Sequence, residues 1–127
     1  MLRRADAAYG EVIIMCSGMD ELGKNIGKVP EIFKELEKTD PAMHEKIMAI
    51  DNMVWSDGAL TRQHKKIIAI AIAASLRDEH AVHAQLAGAK KLGIKKAEIE
   101  EGLRVAFLLA GMPAYVYGKS QLEEVYR

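Results

Sequence analysis

The stretch "DEHAVHAQ", residues 78–85, crowds Asp78, Glu79, His80, His83 and Gln85 into about two helical turns. With Lys66 a short way upstream, these are the side chains whose types could do chemistry. His80 and His83 stand i, i+3, close enough on a helix to share a metal, and Glu79, four residues before His83, could add a carboxylate. The positive end of a helix lowers a histidine's pKa and favours the neutral ring that ligates metal or accepts a proton. H-x-x-H is nevertheless a short motif with few ligands, and no metal is assigned to it. The bland alternative is a polar face lined by small side chains, suited to close packing against another helix; between the two lies acid/base work in a pocket at a subunit boundary. Lys66, Asp78, His80, His83 and Gln85 are the candidate catalytic residues, and acid/base catalysis needs only such groups, well placed and with suitable pKa values.

The elements that must position them are helical. No run alternates with period two, and β-branched clusters are few. A first amphipathic helix is expected over about 5–22, where Asp6 and Glu11 interrupt what would otherwise resemble a signal peptide. "GKNIGKVP" is a loop, and Pro30 opens a short helix at a position where its missing N–H costs nothing. Asp40 and Pro41 start the next, through Trp55. Thr61 caps a helix over about 62–76, and Asp78 caps the site helix, which ends at Gly93. "KKAEIEEGLRVAFLLAG" closes at Gly111, and a last amphipathic helix follows. The Thr61 helix carries Ile67, Ile68, Ile70 and Ile72 around its axis with alanines between, the pattern of a central helix whose neighbours approach closely. On the site helix, 78, 81 and 85 share a core-facing stripe with Val82, Ala89 and Leu92, while His80 and His83 lie opposite, with Ala84, Ala87, Gly88 and Lys91 near them.

The chain has 127 residues, half of them hydrophobic and 28% charged, with a formal net charge of zero. One domain over 1–127 is expected. The neutral balance argues against nucleic acid or an anionic membrane as partner. The longest apolar run, residues 67–76, is about half of what a bilayer crossing needs. A single cysteine, Cys16, forms no internal disulfide and suits a cytoplasmic setting. His44 and His64 read as solvated helix-face residues. Trp55 and the methionines read as packing, Tyr115 and Tyr117 as interface or pocket residues, and Cys16 as a small buried hydrophobe.

From about Ala59 to Gly118 the chain resembles the carboxymuconolactone decarboxylase and alkylhydroperoxidase D-like family. The residues that carry the likeness are "ALTRQHKKIIAIAIAASLR", the site helix, and "AGAKKLGIKKAEIEEGLRVAFLLAGMPA". The resemblance implies an all-α compact helical bundle of the alkylhydroperoxidase D-like type that assembles as a homo-oligomer, trimer or hexamer. Peroxidase members resemble one another in a C-x-x-C-x-x-x-H run with an upstream glutamate. Matching on Gly88, Ala89 and Gly93 puts Asp78 and Ala81 at the two cysteine positions, Gln85 at the histidine and Lys66 at the glutamate. The decarboxylase branch has a glutamate where Ala81 stands and a histidine where Gln85 stands. Only His80 falls where some members carry a histidine.

The frame therefore implies the fold and withholds the familiar thiol chemistry, since Cys16 has no C-x-x-C partner. It also implies that Lys66 and Asp78 approach each other, either as a structural ion pair or as the heart of a small pocket in which Lys66 binds or protonates an anionic substrate and Gln85 donates a hydrogen bond. Three functions follow in order: a cofactor-independent, decarboxylase-like (lyase) acid/base enzyme on a small carboxylate or lactone; a non-catalytic oligomeric ligand- or partner-binding protein with a decayed site; and, last, a peroxiredoxin-type antioxidant.

Overall fold

The structure is a computed structural model, described over residues 31–127. The expected helix over 5–22, the loop after it and Cys16 lie outside the described residues. Six α-helices follow in order: α1 (Glu31–Thr39), α2 (Pro41–Trp55), α3 (Arg62–Leu76), α4 (Glu79–Lys91), α5 (Lys96–Ala110) and α6 (Met112–Val125). Among the described residues there is no strand, so the all-α expectation holds. No helix described is long and apolar enough to cross a membrane.

The helix starts are set locally, as the sequence indicates. The side chains of Asp40, Thr61 and Asp78 accept the backbone N–H of Met43, His64 and Ala81, each satisfying one of the donors a first turn leaves open. Glu98 performs the same service in reverse for α5, its carboxylate accepting the N–H of Lys95 at 2.9 Å. Gly111 ends α5 at a φ of 92°, a conformation costly for any residue with a Cβ.

α1 and α2 pair with each other, while α3 packs on α4, α5 and α6 and is the central helix of that group. The core between them is formed by Ile70, Ala73, Ala74, Val82, Leu86, Ala89, Ile94, Ile99, Leu103 and Leu122. Small residues bring the backbones close. A Cβ added to Gly118 of α6 would lie 2.5 Å from Leu103 and 3.0 Å from Ala74. α2 is tied to the start of α3 by polar contacts: Lys65 Nζ donates to the carbonyls of Val54 at 2.8 Å and Ser56 at 2.5 Å, and Arg62 Nε donates to that of Trp55 at 3.4 Å.

The turn from α3 to α4 is short. Arg77 alone joins Leu76 to the cap Asp78, and it adopts left-handed geometry at φ 55°, ψ 41°. Its N–H and that of Asp78 bond back to the carbonyls of Ala74 and Ala73, the pattern that closes many helices around a glycine.

Candidate functional site

Lys66 sits one turn into α3 and is fully buried, with no exposed surface. Its Nζ donates to Gln85 Oε1 of α4 at 2.7 Å and lies 3.9 Å from the centre of the Trp55 ring at the end of α2. Trp55 is in turn fixed by its indole N–H, which donates to Asp51 Oδ1 at 3.0 Å one turn back along α2. Three helices thus contribute to one polar cluster: α2 the aromatic wall, α3 the cation and α4 the amide.

Burial pushes the Lys66 ammonium down to about 7. The negative charge of Asp51 works against that shift and the guanidinium of Arg62 adds to it. Both close partners of the amine are neutral groups. A ring face attracts a cation by a modest amount and an amide oxygen accepts one hydrogen bond, and neither holds a proton on the amine as a carboxylate does. The amine therefore gives up its proton far more readily than an ordinary lysine, the condition that suits proton transfer.

The expected approach of Lys66 to Asp78 is corrected here. Asp78 is exposed, its Oδ1 is engaged with the N–H of Ala81 at 3.0 Å, and it acts as the N-cap of α4. The charge of Asp78 is felt instead at Tyr117, whose hydroxyl is pushed up by burial first and then by Glu79 and Asp78. Gln85 takes the place expected for Asp78, as acceptor and not as donor. His80 is exposed and His83 half-buried; a helical wheel sets both away from the Gln85 side of α4. Of the five candidates the structure brings together Lys66 and Gln85. Among the described residues no three His, Cys, Asp or Glu side chains gather where a metal ion could be held.

Two further expectations change. His44 is buried, not solvated, as part of an α2 stripe with Met48 and Trp55. Gly88, placed on the histidine side by the wheel, is buried with Val82, Leu86 and Ala89. Trp55 and Asp51 are the site residues that sequence reasoning missed. Their i, i+4 spacing on α2 was the available signal, because it lets an indole N–H reach a carboxylate.

A second feature lies on another side of α3. Ile67, Ile68, Ala71, Ile72, Ser75 and Leu76 of α3 face Gly102, Val105, Ala106 and Leu109 of α5 across an apolar hollow of about 420 Å³. Neither Lys66 nor Gln85 lines it. Its rim is open to solvent: Ile72 is 53% exposed, Leu76 73% and Leu109 83%. Leu108, Met112 and Val116 of α5 and α6 are exposed as well.

With the geometry in place, comparison with known proteins gives a consistent answer. An uncharacterized protein of Methanocaldococcus jannaschii is 36% identical over 96 residues, spanning 75% of this chain and 92% of its own. A second uncharacterized protein of that organism is 26% identical over 95 residues, spanning 75% of this chain and 89% of its own. Among solved structures, a carboxymuconolactone decarboxylase family protein from Legionella pneumophila superposes with a TM-score of 0.72 at 21% identity, over 84% of this chain and 96% of that one. A protein from Burkholderia xenovorans named after the same decarboxylase gives 0.75 at 18% identity, over 89% of each chain. At such identities the likeness is one of fold. The sequence profile of the Carboxymuconolactone decarboxylase family matches residues 41–124, two thirds of the chain, and the protein belongs to that family.

Proposed function

We propose that the protein is a cofactor-independent acid/base enzyme of the decarboxylase type, acting on a small carboxylate or lactone, with Lys66 as its proton-transfer group. The observation that carries this reading is the buried Lys66 amine, set against neutral partners and poised near 7. Gln85 orients the amine by accepting one of its N–H bonds, which leaves the lone pair of the neutral form a fixed direction. The Trp55 ring favours the ammonium once a proton has been taken up. Asp51 keeps that ring in place and is a positioning residue. Asp78 serves α4 as its cap, and His80 and His83 have no step in this scheme.

The apolar surface on α3 and α5 supports a companion proposal, a homo-oligomer, trimer or hexamer, formed through that face. Exposed apolar area on this scale is unusual for a monomer and is common where subunits meet. A cytoplasmic setting fits the composition and belongs to the same proposal.

A second reading is favoured by the position of the hollow. Because Lys66 and Gln85 do not line it, the protein could instead be a non-catalytic oligomer in which the lysine cluster is a retired site and the hollow takes an apolar ligand or partner. A panel of small carboxylates and lactones separates the two, with carbon dioxide release and ring opening followed by NMR. The enzyme reading expects turnover that rises with pH through a midpoint near 7 and drops at least about 10²-fold in Lys66→Met, as general acid/base contributions do. Turnover unaffected by Lys66→Met would end it.

A further inference from the structure

We propose that Lys66 acts as a covalent amine, forming an imine with the ketone of a small 3-oxo carboxylate, and that the protein decarboxylates this class of substrate through the imine. The proposal rests on the acid/base reading of the same site and narrows it to one substrate class and one nucleophile.

Three observations carry it. The amine is fully buried, and its close partners are an aromatic face and an amide oxygen. Lys119 and Lys96 show the contrast. Lys119 meets Glu100 and Glu123 at 2.6 and 2.7 Å, and Lys96 meets Glu123 at 2.6 Å. Carboxylates of that kind keep a lysine protonated and unreactive, whereas a desolvated lysine beside another cationic group is the usual form of an amine nucleophile. Arg62 is such a cationic neighbour, its charge opposing protonation of the Lys66 amine against the larger opposite pull of Asp51, so that burial is what lowers the amine. Finally, Gln85 is half-buried where Lys66 is buried, so the residue that holds the amine is itself partly exposed to solvent, and a small molecule would enter past it.

The chemistry balances without an oxidant or reductant. The amine lone pair adds to the ketone carbon and the C–N bond forms; the ketone oxygen takes one proton from the amine and one from solvent and leaves as water, giving a protonated imine. The bond from C2 to the carboxylate carbon then breaks. Carbon dioxide departs, and the electron pair moves through C2 to neutralise the imine nitrogen as an enamine. C2 takes up a proton, water adds at the iminium carbon, and the ketone leaves with Lys66 restored. The Trp55 ring stabilises both cationic imines.

The test uses the full chain with acetoacetate as probe and cyanoborohydride as trap at pH 7, read by peptide mapping, with carbon dioxide release measured in parallel. An ordinary lysine with a pKa near ~10.4 is neutral only in about one of 2,500 molecules at this pH, so Lys66 is expected to be reduced at least ten times faster than surface lysines. Lys66→Arg should abolish both the adduct and the carbon dioxide. Gln85→Glu, which sets a carboxylate against the amine, should slow trapping at least tenfold at pH 7 and recover at pH 9. Adducts spread over surface lysines with none at Lys66 in folded protein would overturn the imine. Should Lys66-dependent turnover of lactones or simple carboxylates persist in that case, proton transfer stands and the covalent step alone fails. If the Lys66 amine titrates as an ordinary lysine, both fail together.

Discussion

Two sides of α3 invert the usual rule of burial. One side puts a lysine at zero exposure, and the other leaves Ile68, Ile72 and Leu76 about half or more exposed. Burying an ammonium costs free energy unless it is paired, and exposing isoleucine forfeits free energy available from burial. Neither arrangement helps an isolated chain to fold. Each makes sense as a demand placed on the chain from outside it: chemistry at Lys66, and a covering surface over the isoleucines.

The largest expected effect comes from removing the buried charge. The folded-state pKa of Lys66, about 7, lies below that of the unfolded chain. Between about pH 7 and 10.5 the unfolded chain binds more protons, so this group makes stability rise with pH across that window and is most costly below it. Lys66→Met should therefore be more stable than the parent at pH 6, by up to about 4 kcal/mol, and the gap should close by pH 10 or so. Denaturant melts at several pH values measure it. A gap that does not change with pH would break the comparison on its first side.

Next in size is the apolar side. Ile72→Glu combined with Leu109→Lys places charge on the rim of the hollow and should weaken self-association at least about 100-fold, a loss of roughly 3 kcal/mol, read by analytical ultracentrifugation. A parent protein that is already monomeric at high concentration would remove the oligomer from the account and leave the exposed isoleucines to a ligand or another partner. The side of α3 that meets α6 gives a smaller effect. Gly118→Ala pushes a methyl into Leu103 and Ala74 and should cost about 1–3 kcal/mol, because the neighbours there are packed core and not free side-chain ends. The smallest effect belongs to Lys119→Ala. Lys119 holds Glu100 and Glu123 below the usual carboxylate range, Glu123 to about 2. That cluster is open to solvent, so its loss should lower the melting temperature by a few degrees at most, and less in high salt.

The parts of the fold that depend on neighbours in sequence were legible in the sequence. Asp40, Thr61 and Asp78 were readable as caps because a cap is an interaction three residues long, and Gly111 as a stop because its conformation excludes other residues. The centrality of α3 followed from apolar residues around its whole circumference. Such a helix does not say, however, which of its sides its own chain will cover, so the exposure of Ile68 and Ile72 was invisible. The Lys66–Asp78 pairing failed for a local reason already present in the sequence: a carboxylate that caps α4 is committed to the backbone there. Trp55 was hidden because its role depends on the packing of α2 against the start of α3, a contact with no periodicity to betray it. His44 was misjudged by residue type, although its spacing from Met48 and Trp55 follows the buried stripe.

The one-residue corner at Arg77 carries a consequence for how this chain can change. Lys66 and Gln85 are nineteen positions apart, and their contact at 2.7 Å depends on the rotational phase of α4 relative to α3. Adding a single residue at that corner would turn α4 by about 100° and carry Gln85 off the amine while leaving every helix intact. The length of one short corner, more than the identity of any residue in it, thus governs whether the amine and its amide partner meet.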